Sequence, residues 1–144
     1  MKAQRPIPKD TRENQRLASD PALSAWVSAH AGSGKTHVLS SRVVRLLLAR
    51  TPPSRILCLT YTKAAAANMA SRIFDILAKW ALLDDDALTR AIENVGATAP
   101  SPSDLVFARR LFARTVETPG GLKIQTIHAF CERILHLFPF EANV

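Results

Sequence analysis

Hydrophobic and polar positions change period early in the chain. The compact apolar stretch "ALSAWVSA" at residues 22–29 is typical of a buried strand. In "KTHVLSSRVVRLLLAR", which begins at Lys35, apolar residues from Leu39 to Leu47 return at helical spacing. The change from strand period to helix period falls on the intervening "AGSG". This part of the chain is therefore predicted to be a strand, a glycine turn and a helix.

The same order recurs twice further along. "RILCLTYT" at 55–62 predicts a strand buried on both faces. The following "AAAANMASRIFDILAKW" predicts an amphipathic helix, whose apolar face comprises Ala66, Met69, Ile73, Ile76, Leu77 and Trp80. "LKIQT" at 122–126 predicts a third strand, and a helix with Ile127, Phe130, Ile134 and Phe138 in phase follows it. Repeated strand and helix units predict an α/β fold with a parallel sheet and crossover helices.

The remaining segments predict a loose tail and three further helices. Residues 1–9 form the predicted tail, after which Asp10 and Glu13 have the spacing of a capping box on a short helix. Asp84–Asp86 suit the start of another helix better than a metal site, because consecutive carboxylates point in different directions. In "DLVFARRLFARTVE", Arg110 and Arg114 lie on a face that we expect to be solvated.

Composition allows one globular domain with a polyanionic partner. The 144 residues are 47% hydrophobic and carry a net charge of +7, which suits nucleic acid or simply good solubility. Cys58 and Cys131 form no metal-binding motif, which fits a reducing compartment. No apolar run is long enough for a membrane span, and the basic N-terminus lacks the apolar region of a signal peptide. A cytoplasmic protein is expected.

The turn at "AHAGSGKT" predicts a phosphate-binding loop. Gly32 and Gly34 permit a close backbone approach, so successive amides at a helix start can point at phosphates. Lys35 would reach the β and γ phosphates and the Thr36 hydroxyl would bind Mg²⁺. Upstream, Gln15 could read the N6 and N7 edge of adenine, or could simply be a solvated helix residue. ATP and Mg²⁺ are therefore the predicted ligands.

Three segments in order, "AHAGSGKT" at 29–36, "LTYTKAAAANMASRI" at 59–73 and "IQTIHAFC" at 124–131, resemble superfamily 1 helicases of the UvrD and Rep type. The resemblance runs from Gln15 to Val144, and it is closest to the AddA branch of helicase-nuclease proteins that process DNA double-strand breaks. It implies a RecA-like P-loop NTPase fold. Residues 10–144 would form the first part of helicase domain 1A.

The resemblance assigns residues to ATP and to DNA by position. It implies that Gln15 reads adenine, with His37 near the base where many relatives have arginine. The phosphates and Mg²⁺ would be bound by Ala29, His30, Ala31, Gly32, Ser33, Gly34, Lys35 and Thr36, of which Lys35 and Thr36 would be catalytic and Ala29 replaces the usual first glycine. Single-stranded DNA would be contacted by Thr60, Tyr61, Thr62, Lys63, Thr126 and His128.

Some of these residues have simpler interpretations. Tyr61 replaces the family's usual phenylalanine and Asn68 a common glutamate. Phe130 is in phase with the apolar face of its helix, so it fits the core better than a platform for bases. His128 could be an ordinary polar residue at a strand end.

Hydrolysis in this class needs an acidic pair after a buried strand, and arginines that relatives place in a second motor domain. No apolar run ending in Asp-Glu occurs in the 144 residues. The chain is therefore expected to be the opening part of a 3′ to 5′ helicase that is not active alone. The resemblance also implies single-stranded DNA at a duplex end and an AddB-type partner protein.

Two alternatives stay open. A stand-alone module that binds a nucleotide or single-stranded DNA without catalysis fits the missing acidic pair. A different phosphate-loop enzyme, such as a small kinase, would need an acceptor site and an acidic base, and neither is visible in the sequence.

Overall fold

The structure, a computed structural model, describes residues 8–28, 30 and 32–139. These residues form six helices and two strands. In chain order they are α1 (Lys9–Ala18), α2 (Lys35–Leu48), β1 (Leu57–Thr60), α3 (Lys63–Trp80), α4 (Asp85–Asn94), α5 (Pro102–Glu117), β2 (Lys123–Thr126) and α6 (Ile127–Leu137), with a 3₁₀ turn at Pro53–Arg55 before β1. None of the helices within these ranges is long and apolar enough to cross a membrane.

The two strands pair in parallel, which confirms the predicted sheet direction. Leu57 lies opposite Lys123 and Thr60 lies opposite Thr126. The connection between them runs through α3, α4 and α5, because parallel strands need a crossover. The carboxyl ends of both strands consequently lie at the same edge of the sheet.

The hydrophobic core lies around α3. The predicted apolar face of α3 is buried apart from the partly buried Ile76, and Ile73 and Leu77 are fully enclosed. Side chains from α2, α4 and α5 complete the cluster, among them Val44, Leu47, Leu88, Ile92, Ala108 and Leu111. Burying branched apolar side chains between helices is the main source of stability here.

Side-chain caps explain where the helices of this region begin. The Asp84 carboxylate accepts a hydrogen bond from the amide of Ala87 at 2.7 Å, and Asp85 and Asp86 occupy the first turn of α4. The acidic triplet is therefore a helix start, as predicted. Ser101 and Asp104 form a capping box on α5.

The predicted start of α1 is wrong. The helix begins at Lys9 with Pro8 in the cap position, so Lys9 is not tail and Asp10 is not the cap. Residues 1–7 lie outside the described part. Glu13 instead pairs with Arg16, at 2.8 Å between Oε1 and Nη2, and this hydrogen bond holds the pKa of the Glu13 carboxyl below its usual value.

The predicted strand at 22–29 is also wrong. Residues 24–28 form neither strand nor helix, and the Trp26 side chain is 94% exposed. Ala29 lies outside the described residues. A strand needs neighbours for its backbone groups, and in the described part of the chain the two strands pair only with each other.

Two further predictions of burial fail for a related reason. Leu57 and Leu59 of β1 are 42% and 44% exposed, so this strand is not buried on both faces. No residue of α6 is buried, and Ile134 and Phe138 are both exposed. The sequence has the apolar pattern of a core, but the described part of the chain has no layer covering this side of the sheet.

Candidate functional site

The glycine turn leads directly into α2, as the sequence predicts. Gly34 has φ 92° and occupies the cap position, and Gly32 has φ 79°. Both angles lie in the left-handed region that favours glycine. The amide of Ser33 donates to the carbonyl of His30 at 3.3 Å. Ala31, like Ala29, lies outside the described residues, so their predicted roles are not located.

Lys35 and Thr36 stand at the exposed N-terminus of α2. The Lys35 ammonium donates to the carbonyl oxygen of His30 at 2.8 Å, which draws the two ends of the loop together. Thr36 is exposed in the first turn. The helix start places first-turn amides and the positive end of the helix dipole beside these side chains, which is an arrangement suited to an anion.

Gln15 lies next to the loop although it is nineteen positions upstream of Gly34. A Cβ added to Gly34 would come within 2.9 Å of the Gln15 Nε2 atom, so a larger residue there would displace the Gln15 amide. The structure thus brings together the predicted adenine reader and the predicted phosphate loop. This contact gives Gly34 a steric reason in addition to its backbone angle.

Two arginines of α2, which sequence reasoning missed, tie down the chain between α1 and the loop. Arg42 donates to the carbonyls of Asp20 and Leu23, both at 2.6 Å. Arg45 donates to the Arg16 carbonyl at 2.8 Å and to the Ser19 hydroxyl at 2.9 Å. The available signal was an arginine on the same face as the apolar residues of a helix, where burial requires a partner.

Asp20 completes this junction. Its carboxylate lies 3.3 Å from the Arg45 guanidinium and accepts the amide of Ala22 at 3.0 Å. The bond from Ala22, together with the nearby Arg45 charge, lowers the pKa of Asp20. The carboxylate stays ionised at neutral pH and holds Arg45 against the end of α1.

A cavity of about 560 Å³ opens between α1, the start of α2 and the end of α4. Gln15 lines one wall and His37 and Ser41 line another. The structure therefore brings His37 and Gln15 to one cavity beside the phosphate loop. Sequence reasoning did not single out Ser41.

The two segments that the resemblance assigns to DNA meet at one edge of the sheet. Thr60 and Thr126 are paired across the parallel strands, so the residues that follow each of them are neighbours. Tyr61 is 86% exposed, and Lys63 and His128 are also exposed. A hydroxyl, an aromatic ring, a lysine and a histidine are thus presented together to solvent.

The threonines of this edge also shape the backbone. Thr62 caps α3 by accepting the amide of Ala65 at 3.1 Å, and Thr126 caps α6 by accepting the amide of Ala129 at 3.2 Å. Two helix N-termini therefore begin at the same edge, where they favour phosphate. Phe130, half-buried in α6, has the Arg133 guanidinium 5.8 Å from its ring centre rather than a place in the core.

The described residues fit ATP with Mg²⁺. Gly34 forms a backbone cradle that a Cβ would fill, Lys35 and Thr36 supply a cation and a hydroxyl at the helix start, and Gln15 offers an amide to a base. When bound, the nucleotide would supply a phosphoryl group for transfer to water. Among the described residues no cluster of three His, Cys, Asp or Glu side chains could hold a metal ion by itself.

Neither cysteine belongs to this site. Cys58 lies half-buried in β1, where burial raises the pKa of its thiol, and Cys131 is exposed on α6.

Comparison with known proteins identifies the fold family. The sequence model of the UvrD/REP helicase N-terminal domain matches residues 10–143. The chain is 31% identical over 138 residues to the ATP-dependent helicase/nuclease AddA of Lactobacillus acidophilus, and 34% identical over 138 residues to that of Lactobacillus helveticus. Each alignment covers 96% of this chain and 10% of the relative.

A relative from Clostridioides difficile, which carries the same name, is 31% identical over 127 residues. That alignment covers 86% of this chain and 8% of the relative. No solved structure matches the chain. The chain thus spans about a tenth of the length of the curated relatives it matches, and it belongs to the UvrD/REP helicase N-terminal domain family, whose fold is RecA-like.

Proposed function

We propose that this chain binds ATP with Mg²⁺ at the phosphate loop and that it does so as part of an ATP-dependent DNA helicase. The observation that supports this most directly is the contact between Gln15 and Gly34 at the N-terminus of α2. A group that can read a base and a cradle for phosphates meet there in a helicase family whose relatives are named as ATP-dependent. Lys35 would contact the β and γ phosphates and Thr36 would bind Mg²⁺.

The edge formed by the ends of β1 and β2 is the proposed surface for single-stranded DNA. Lys63 and the amides at two helix starts would bind phosphates, while Tyr61 would give bases a surface for stacking. None of these groups reads base identity, and a motor that travels along DNA needs such contacts. Binding should weaken steeply as salt rises and show little preference for sequence.

The whole protein's role is proposed from its relatives. Their name, ATP-dependent helicase/nuclease, supports an AddA-type enzyme that moves 3′ to 5′ on single-stranded DNA at a duplex end, in the repair of double-strand breaks. A cytoplasmic location and an AddB-type partner protein belong to the same proposal. ATP hydrolysis by these 144 residues alone is not part of it, because the sequence carries no acidic pair after an apolar strand.

Titration with a fluorescent ATP analogue in the presence of Mg²⁺ tests the proposal. Lys35→Ala is expected to weaken binding at least about tenfold, because it removes a charged hydrogen bond to phosphate. The matched control is Lys79→Ala, which removes an exposed lysine from the last turn of α3, far along the chain from the loop.

The unfolding midpoint of Lys35→Ala should stay close to that of the wild type, since the lysine is exposed. Equal affinity of wild type and Lys35→Ala for the analogue would remove the assignment of the phosphate loop. Phosphate release by the wild-type chain alone would show that it is an ATPase rather than a binding segment.

A further inference from the structure

The cavity beside the phosphate loop has the size of a small-molecule site. Its volume of about 560 Å³ falls within the range of roughly 300–1,000 Å³ that is typical for such sites. It is bounded by three separate helices, and Gln15, His37 and Ser41 provide polar groups on its walls. A pocket with a few convergent polar groups is the usual form of a ligand site.

Ser41 is the unexplained polar group of this cavity. The residue is only 3% exposed, and among the described residues its Oγ atom has no hydrogen-bond partner. A buried hydroxyl without a partner destabilises the folded chain, so such groups are uncommon and call for an explanation. A ligand in the cavity would give this hydroxyl a partner.

The neighbouring Ser40 shows that burial alone does not define the site. Its Oγ atom is also buried and lacks a partner among the described residues, but Ser40 does not line the cavity. The two serines are consecutive on α2 and therefore point in directions about 100° apart. Only Ser41 can meet a ligand that lies beside Gln15 and His37.

The path from the phosphate loop to Ser41 follows one face of α2. His37 and Ser41 are four residues apart, so they lie one above the other on the helix surface. Ser41 is six residues beyond Lys35, about 9 Å along the helix axis. A nucleotide whose phosphates lie at the start of α2 would extend its sugar and base along these two side chains.

The turn after α4 closes the far end of the cavity. Gly96 has φ 84°, and a Cβ there would lie 3.0 Å from Cγ of Arg16 and 3.2 Å from Nη1 of Arg45. The turn therefore packs directly onto the junction of α1 and α2. A glycine at this position lets the end of α4 approach and complete the wall.

From this geometry we propose that Ser41 is a further nucleotide-binding residue, whose hydroxyl hydrogen-bonds the purine base of ATP opposite Gln15. The hydroxyl both donates and accepts, so it can pair with a ring nitrogen or with an exocyclic amine. This inference rests on the proposed ATP site, but it adds a residue that the helicase motifs of the sequence do not include.

Competition binding with Ser41→Ala tests the inference, and Ser40→Ala is the matched control. A fluorescent ATP analogue is displaced from each variant by ATP and, separately, by inorganic tripolyphosphate. Ser41→Ala should weaken ATP about tenfold, the effect of one lost hydrogen bond, and leave tripolyphosphate unchanged. Ser40→Ala should change neither, and Ser41→Thr, which keeps a hydroxyl, should retain ATP binding.

The folding readout separates a ligand role from a structural one. Because the Ser41 hydroxyl has no partner among the described residues, Ser41→Ala should leave the unfolding midpoint unchanged or raise it. Unchanged ATP affinity in Ser41→Ala would overturn the inference, as would equal losses in Ser41→Ala and Ser40→Ala. If Lys35→Ala also binds like the wild type, the ATP site itself fails. If Lys35→Ala weakens binding and Ser41→Ala does not, only the inference about Ser41 fails.

Discussion

Two apolar stretches of the chain have opposite surroundings. The apolar face of α3 packs among α2, α4 and α5, with Ile73 and Leu77 fully buried. Residues 21–28, which lead to the phosphate loop, expose Trp26 and Val27 to solvent. The path of this second stretch is set instead by hydrogen bonds from Arg42 to the carbonyls of Asp20 and Leu23. The core is stabilised by burial, whereas the approach to the loop is held by its backbone.

The largest stability effect is expected in the core. Leu77→Ala removes a fully buried side chain, so it should lower the free energy of unfolding by about 2 to 5 kcal/mol. Urea denaturation followed by circular dichroism measures this change. A loss below about 1 kcal/mol would mean that α3 is not at the centre of the core.

An intermediate effect is expected where hydrogen bonds hold the approach to the loop. Arg42→Met keeps much of the side chain's length and removes its bonds to two carbonyls, so we expect a loss of about 1 to 3 kcal/mol. Hydrogen exchange should become faster in residues 19–28. Arg72→Met, a change at an exposed arginine of α3, is the control and should alter neither quantity. Unchanged exchange in Arg42→Met would contradict the tethering role.

The smallest effect is expected at Trp26. Because its side chain is 94% exposed, Trp26→Ala should change the free energy of unfolding by less than about 0.5 kcal/mol. The other tryptophan, Trp80, is 3% exposed and offers an internal contrast. Iodide should quench the fluorescence of Trp26 in a Trp80→Phe variant much more than that of Trp80 in Trp26→Ala. Equal quenching would place Trp26 in a packed environment.

The sequence predicted the helices of the core and the meeting of the two strands, because both depend on patterns within short segments. Asp84 was correctly predicted as part of a helix start, and the crossover between β1 and β2 follows from their parallel pairing. Ala66, Met69 and Trp80 are buried on the predicted face of α3. Local pattern and tertiary packing agree in this region.

The failures share one physical cause. An apolar run indicates that a segment is suited to burial, but burial also requires a neighbouring layer. Residues 22–28 and α6 have the right pattern and lack such a layer within the described part of the chain. The roles of Arg42, Arg45 and Ser41 could not be predicted either, because each depends on contacts between α2 and chain segments distant in sequence.

Two separate ligand surfaces are the central claim, and hydrogen exchange measured on the chain alone, with Mg²⁺ and ATP, and with an oligothymidylate tests it most directly. ATP should slow exchange in residues 30–41 and in α1, and the oligonucleotide should slow exchange in residues 60–66 and 126–131. Protection of the loop and of the cavity by ATP, with the strand ends unchanged, is the predicted result. Protection of the same residues by both ligands, or of neither surface, would contradict it.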